Sequence, residues 1–126
     1  MSKVPAARIL VIDDNAGVAN LLAASLGEDG HTVSSALTGD EGLELVTRFQ
    51  PDLVLLDVLL PGMNGIDVLK RIRAIDPRAK VIMLTGNIDP SDVQKAFELG
   101  ALAYIDKPFD FAHLKRVVAA ALRAGV

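Results

Sequence analysis

Three short apolar runs and two weaker strand segments alternate with five helical patterns, and this alternation constrains the fold more than any other feature. The apolar runs are RILVI (8–12), LVLL (53–56) and KVIML (80–84), and the weaker strands are HTVSSA (31–36), whose serines indicate an edge of the sheet, and AYI (103–105). Runs that are apolar throughout are typical of parallel strands covered on both faces. Strict β-α alternation predicts a parallel sheet with helices on both sides. Because crossovers are right-handed, we predict an α/β fold with a doubly wound five-stranded parallel sheet in the order 2-1-3-4-5.

The helical segments have recognisable starts and apolar stripes. In chain order, the predicted helices follow Asn15, Thr38, Asn64, Asp89 and Asp110. The first helix is expected to bury Val18, Leu21, Leu22 and Leu26, which lie at helical spacing. The segment GMNG (62–65) before the third helix is interpreted as turn chemistry. The basic residues Lys70, Arg71 and Arg73 are expected to form a solvated helix face.

Composition narrows the function classes. The chain has 126 residues, and 51% of them are hydrophobic, so a single domain with its own core is expected. A net charge of −3 argues against direct nucleic-acid binding through a basic face. The absence of cysteine excludes disulfides and fits a reducing compartment. The apolar runs are too short for a membrane span or a signal peptide, so we expect a cytoplasmic protein without a membrane partner.

Polar side chains collect at one edge of the predicted sheet. Asp13 and Asp14 follow the first strand, and Asp57 follows the third, its neighbour in the predicted order. Thr85 ends the fourth strand, and Lys107 follows the fifth. In doubly wound sheets ligands bind beyond the carboxyl ends of the strands, at the point where the strand order reverses. We therefore expect these five side chains to form one site.

Three clustered carboxylates repel one another and favour a bound cation. Oxygen ligands suit Mg²⁺, which typically binds one or two carboxylates together with a phosphate. Asp57 then becomes a candidate nucleophile, because carboxylates form acyl phosphates in some enzymes. Lys107 and Thr85 could each contact a phosphoryl oxygen. The sequence thus provides the components of phosphoryl transfer.

Four motifs together resemble the receiver domain of two-component response regulators. They are VIDDN, VLLDVLLPGMNGIDVL, VIMLTG and GALAYIDKPFD, and the resemblance covers essentially the whole chain. It implies a (βα)5 flavodoxin-like receiver fold and a single receiver domain over residues 1–126 with no effector domain. It also implies a phospho-accepting signalling switch, not a metabolic enzyme, with Mg²⁺-dependent autophosphorylation and autodephosphorylation only.

The resemblance also assigns roles to individual residues. Asp57 matches the phospho-acceptor, Asp13 and Asp14 match the acidic pair that holds Mg²⁺, and the backbone carbonyl of Leu59 matches a further metal ligand. Thr85 matches the switch hydroxyl and Lys107 the lysine that contacts the phosphoryl group. The remaining matches are Tyr104, the aromatic coupled to the switch, and Pro108, which usually follows a cis peptide bond.

Two further positions concern the lifetime of the phosphoryl group. Leu59 and Asn87 lie two residues after the acceptor and the switch hydroxyl, where the resemblance implies that they flank the attacking water. Leu59 is apolar, whereas the amide of Asn87 can orient a water. Dephosphorylation of intermediate speed is therefore expected.

The expected partners are a histidine kinase or phosphotransfer protein and a downstream protein. The phosphoryl group would either signal through protein contacts or pass onward in a relay. Output is expected from helix four, strand five and helix five, and would include a phosphorylation-dependent homodimer. The last helix should pack on the sheet through Phe111, Leu114, Val118 and Leu122. A second stripe, predicted to be free of the core, comprises Val117, Ala120 and Ala124.

Two other functions fit the same strand order. A flavin-binding electron carrier would need a first loop rich in small and hydroxyl residues to hold a phosphate, whereas this loop reads DDNAG. A metal-dependent phosphohydrolase with an aspartyl nucleophile would need a substrate cap, and no segment is long enough to form one. The receiver interpretation accounts for more of the residues than either alternative.

Overall fold

The computed structural model describes residues 6–86 and 89–123. The strands are β1 (Arg8–Ile12), β2 (Thr32–Ala36), β3 (Leu53–Asp57), β4 (Leu59–Leu60), β5 (Met63–Asn64), β6 (Lys80–Thr85) and β7 (Ala103–Asp106). The helices are α1 (Ala16–Glu28), α2 (Gly39–Phe49), α3 (Gly65–Ile75), α4 (Pro90–Glu98) and α5 (Phe111–Arg123).

The central sheet has five parallel strands in the order β2-β1-β3-β6-β7. This is the predicted order 2-1-3-4-5, because the short strands β4 and β5 pair only with each other as an antiparallel hairpin. Sequence analysis interpreted that hairpin segment as a turn. The reversal of strand order falls between β1 and β3, so the carboxyl ends of these two strands lie side by side.

Alternate residues of the central strands enter two separate cores. Leu10 and Leu56 face the core built with α2, α3 and α4, whereas Ile9 and Leu55 face the core built with α1 and α5. Both sets are fully buried. This arrangement explains why the buried middle parts of β1, β3 and β6 are continuously apolar, as expected for a sheet covered on both sides.

The predicted helix starts are confirmed by capping hydrogen bonds. At every helix, the side chain of the residue before the first turn accepts a hydrogen bond from a backbone N–H of that turn. These residues are Asn15, Thr38, Asn64, Asp89 and Asp110. Such caps satisfy backbone donors that have no partner within the helix. None of the helices in the described part of the chain is long and apolar enough to cross a bilayer.

The prediction that α1 buries Leu21 is wrong. Leu21 is 60% exposed, and α1 instead buries Ala19, Leu22 and Leu26. Ala19, Leu22 and Leu26 recur at spacings of three and four residues and so share one face of α1, whereas Leu21 lies about 100° around the helix from Leu22. Ala19 packs in the same core as Leu22 and Leu26, so this is the face of α1 that meets the sheet.

The expectation that Arg73 forms part of a solvated face is also wrong. Its guanidinium donates hydrogen bonds to the carbonyl oxygens of Leu99 at 2.7 Å and Gly100 at 2.8 Å, and also to those of Pro77 and Ala79. Burial lowers the pKa of Arg73 from its usual value, against an opposing effect of nearby Asp76. Arg73 therefore joins the end of α3 to the end of α4 and to the segment entering β6.

Helix α5 packs on the sheet largely as predicted. Leu114 and Val118 are buried, and Phe111 and Leu122 are partly buried against the same core. Val117, however, also packs partly against this core, so the predicted core-free stripe is wrong at that residue. Ala120 of that stripe is exposed, and Ala124 lies outside the described residues.

Candidate functional site

Two carboxylates are brought together by the ends of β1 and β3. The pairing of Ile12 with Leu56 places Asp13 beside Asp57. Both side chains are buried, with Asp13 fully so, whereas Asp14 is exposed. One carboxylate oxygen from each of the three aspartates lies within 4.8 Å of the others. The predicted convergence of the three acidic residues is therefore present in the fold.

Backbone N–H groups orient the two buried carboxylates. Oδ1 of Asp13 accepts a hydrogen bond from the backbone N–H of Asn15 at 2.9 Å, and Oδ1 of Asp57 accepts one from Leu59 at 3.1 Å. Each carboxylate is thus held by the main chain two residues further on. This leaves Oδ2 of both residues directed at the same neighbour.

That neighbour is Lys107, which follows β7. Its Nζ lies 2.8 Å from Oδ2 of Asp13 and 3.0 Å from Oδ2 of Asp57. The side chain is 23% exposed, so solvent screens these ion pairs only partly. Lys107 therefore bridges the two buried carboxylates from the far side of β6, and the peptide bond that joins it to Pro108 is cis, as expected.

The charge of this cluster fits a divalent cation. Three carboxylates face one ammonium group, which leaves two negative charges uncompensated. Oδ2 of Asp13 is buried and forms no hydrogen bond of good geometry with any described residue, although it is ion-paired to Lys107. Buried acceptors of this kind are normally satisfied. An all-oxygen donor set that is partly open to solvent suits Mg²⁺.

The pKa values of the paired groups reflect their burial and their neighbours. Loss of hydration raises the pKa of Asp57, and the hydrogen bonds from Lys107 and from the backbone of Leu59 offset this only in part. Burial acts to lower the pKa of Lys107, but the ion pairs with Asp13 and Asp57 outweigh it, so that pKa is raised. The lysine therefore stays cationic, whereas the Asp57 carboxylate is less stable than one in water.

The loop after Asp57 depends on Gly65. Sequence analysis did not identify a role for this residue in the site. The N–H of Gly65 donates to the carbonyl of Val58 at 2.8 Å, and a Cβ at position 65 would lie 2.4 Å from the carbonyl oxygen of Asp57. Only a residue without a side chain allows α3 to start so close to the strand end. The second glycine of GMNG, Gly65, could have indicated this close approach of the main chain, but a turn explained that glycine equally well.

Thr85 ends β6 and is fully buried. Its Oγ1 donates a hydrogen bond to Oδ1 of Asp106 at 3.2 Å, and its carbonyl accepts one from the N–H of Lys107 at 2.6 Å. Asp106 is a second residue that sequence analysis missed. It stands among matched motif residues, but no pattern singled it out.

The other predicted site residues lie around this cluster or outside the described structure. Leu59 is 60% exposed at the edge of the cluster, where its N–H contacts Asp57. Tyr104 is 42% exposed, and its ring packs edge-on against Phe97 with the centroids 6.2 Å apart. Asn87, predicted to influence the attacking water, lies outside the described residues.

This arrangement of strands and acidic residues is that of a known class of signalling domain. The sequence matches the response regulator receiver domain over residues 9–119, and the chain belongs to that family. The match confirms the predicted class of function, a phospho-accepting switch of two-component signalling, and gives no support to the flavin-binding alternative.

The chain matches one relative of similar length and one that is about twice as long. Sporulation initiation phosphotransferase F of Bacillus subtilis (strain 168) is 40% identical over 111 residues, covering 88% of this chain and 90% of that protein. The DNA-binding response regulator MtrA of Mycobacterium tuberculosis (strain ATCC 25618 / H37Rv) is 45% identical over 116 residues, covering 92% of this chain. The chain spans only 50% of the length of MtrA.

Solved structures agree with the fold. A CheY-like response regulator receiver domain protein from Methanospirillum hungatei JF-1 has a TM-score of 0.92 at 30% identity, covering 95% of this chain and 96% of that one. A response regulator receiver domain protein from Clostridium thermocellum has a TM-score of 0.88 at 33% identity, covering 94% and 95% respectively.

Proposed function

We propose that Asp57 accepts a phosphoryl group from a histidine kinase or phosphotransfer protein. The observation that carries this proposal is the position of Asp57, whose Oδ2 lies 3.0 Å from Lys107 within the acidic cluster. An oxygen of the Asp57 carboxylate attacks phosphorus, the P–N bond to the donor histidine breaks, and the released imidazole keeps that electron pair. The product is an acyl phosphate, in which the protein side chain is the covalent carrier.

Asp13, Asp14, Asp57 and the backbone carbonyl of Leu59 would hold Mg²⁺. When bound there, the cation neutralises charge on the phosphoryl oxygens during transfer. Lys107 supplies a second positive charge, because its ammonium already contacts the acceptor. Loss of the phosphoryl group is hydrolysis, in which water attacks phosphorus and the bond to the Asp57 oxygen breaks.

The direct test uses a small phosphodonor. Incubation with acetyl phosphate and Mg²⁺ should add the mass of one phosphoryl group, and EDTA should prevent it. The product should be cleaved by hydroxylamine, because acyl phosphates react with this nucleophile, whereas a phosphate ester on Thr85 would not. Either no mass change or a modification resistant to hydroxylamine would contradict intrinsic autophosphorylation on a carboxylate.

Output is proposed to use the surface formed by α4, β7 and α5, which we call the output face. Phe97 and Tyr104 form an exposed aromatic pair on it, 45% and 42% exposed respectively. Exposed aromatic side chains are frequent anchors of protein contacts. The resemblance over nearly the full length of phosphotransferase F supports a relay role, in which Asp57 then donates the phosphoryl group to a second protein.

A substitution on the output face should impair protein association without impairing phosphorylation of Asp57. Phe97→Glu should leave acetyl phosphate uptake unchanged but reduce phosphorylation-dependent self-association measured by light scattering. Ile75→Glu is the matched control, because Ile75 is 47% exposed at the end of α3, a helix that is not part of this face. A parent protein that stays monomeric when phosphorylated would refute the homodimer. Equal loss of association in both variants would show that the face is not specific.

A further inference from the structure

Asp106 occupies a position that bears directly on the switch hydroxyl. Thr85 and Asp106 are paired residues at the ends of the neighbouring strands β6 and β7. The Thr85 side chain is fully buried, and its Oγ1 donates to Oδ1 of Asp106 at 3.2 Å. Asp106 itself is exposed, and among the described residues it forms no ion pair. Its carboxylate is therefore separate from the acidic cluster that Lys107 bridges.

A threonine hydroxyl has a single proton to donate. While Thr85 donates that proton to Asp106, it cannot donate it to a phosphoryl oxygen on Asp57. The hydrogen bonds from Thr85 to Asp106 and from Thr85 to the phosphoryl group are mutually exclusive. A stronger bond to Asp106 therefore makes the bond to the phosphoryl group less favourable. The N–H of Lys107 also holds the Thr85 carbonyl at 2.6 Å, which fixes the main chain and leaves the side chain as the part free to change partner.

We propose that Asp106 is a positioning residue that holds the Thr85 hydroxyl in the unphosphorylated arrangement and so opposes switching. The inference rests on the proposed function, since it assumes that Thr85 turns toward a phosphoryl group on Asp57. Asp106 also adds a negative charge next to Lys107 in the chain. Asp106 thus sets how readily phosphorylation shifts the protein to the arrangement in which Thr85 faces Asp57, without contacting the reacting atoms.

Beryllofluoride, a phosphoryl mimic, tests the consequence for switching. In the presence of Mg²⁺, Asp106→Ala should bind beryllofluoride about fivefold more tightly by calorimetry, the ratio expected for removing one competing hydrogen bond. In the Thr85→Ala background, Asp106→Ala should change the affinity little, because no hydroxyl remains to be held. Asp106→Asn should have a smaller effect than Asp106→Ala, since its side-chain carbonyl can still accept the bond.

A second measurement needs neither metal nor phosphoryl mimic. Chemical unfolding of the four proteins in the Thr85/Asp106 double-mutant cycle should reveal favourable coupling between the two side chains in the unphosphorylated state. Absent coupling would overturn the inference, as would an affinity gain that persists without the Thr85 hydroxyl. If the parent protein binds beryllofluoride but Asp106→Ala binds it no more tightly, the inference is overturned while the proposed function stands. A parent that neither binds beryllofluoride nor takes up phosphate would overturn the proposed function and the inference with it.

Discussion

Asp57→Asn should abolish phosphoryl uptake from acetyl phosphate. The amide oxygen is a far weaker nucleophile than a carboxylate, and the other groups of the site cannot replace it. Asp67→Asn is the matched control, because Asp67 is an exposed aspartate in the first turn of α3. Mass spectrometry after incubation with Mg²⁺ and acetyl phosphate measures the effect. Hydroxylamine-labile phosphate on the Asp57→Asn protein would refute the assignment of the acceptor.

The same substitution should stabilise the unphosphorylated protein at neutral pH. Burial raises the folded-state pKa of Asp57, so the folded protein binds this proton more tightly than the unfolded chain does. Stability is therefore lost as pH rises from the unfolded pKa through the folded pKa, and the loss remains at higher pH. An asparagine has no such charge to bury. Urea unfolding without metal should show a gain for Asp57→Asn at pH 7 that shrinks in acid.

Loss of either acidic residue after β1 should weaken Mg²⁺ binding by about tenfold or more, as is common when a metal site loses a supporting group. Asp13→Asn removes a fully buried carboxylate that faces Lys107, and Asp14→Asn removes an exposed one. Both belong to the cluster in which carboxylate oxygens lie within 4.8 Å of one another. Calorimetric titration with Mg²⁺ measures the affinity directly, with Asp67→Asn as the control.

Asp13→Asn and Asp14→Asn should differ in their free energy of unfolding when no metal is present. Asp14 is exposed, so its removal should change the free energy of unfolding little. Asp13→Asn removes one partner of Lys107 and relieves repulsion with Asp57, so a larger change is expected. In both variants, stabilisation by added Mg²⁺ should be reduced. An unchanged Mg²⁺ affinity in both would exclude these carboxylates as ligands.

Sequence alone predicted the sheet, its strand order and the helix starts. The run at 53–56 is apolar at every position, and Asn15 has a side chain that can cap a helix, so each of these elements is encoded within its own segment. It also predicted that Asp13, Asp57 and Lys107 would meet. Residues that follow parallel strands share one edge of the sheet whatever the detailed packing.

The tertiary structure alone decided the contacts that depend on how those elements dock. Leu21 is exposed because the face of α1 that meets the sheet carries Ala19 and Leu22, and Arg73 binds the carbonyl of Leu99, which is 26 residues away in the chain. The hydrogen bond from Thr85 to Asp106 likewise depends on the pairing of β6 with β7. Periodicity fixes which residues share a face of a helix or strand. The rotation of that face and its neighbours follow from packing between distant segments, which no local pattern encodes.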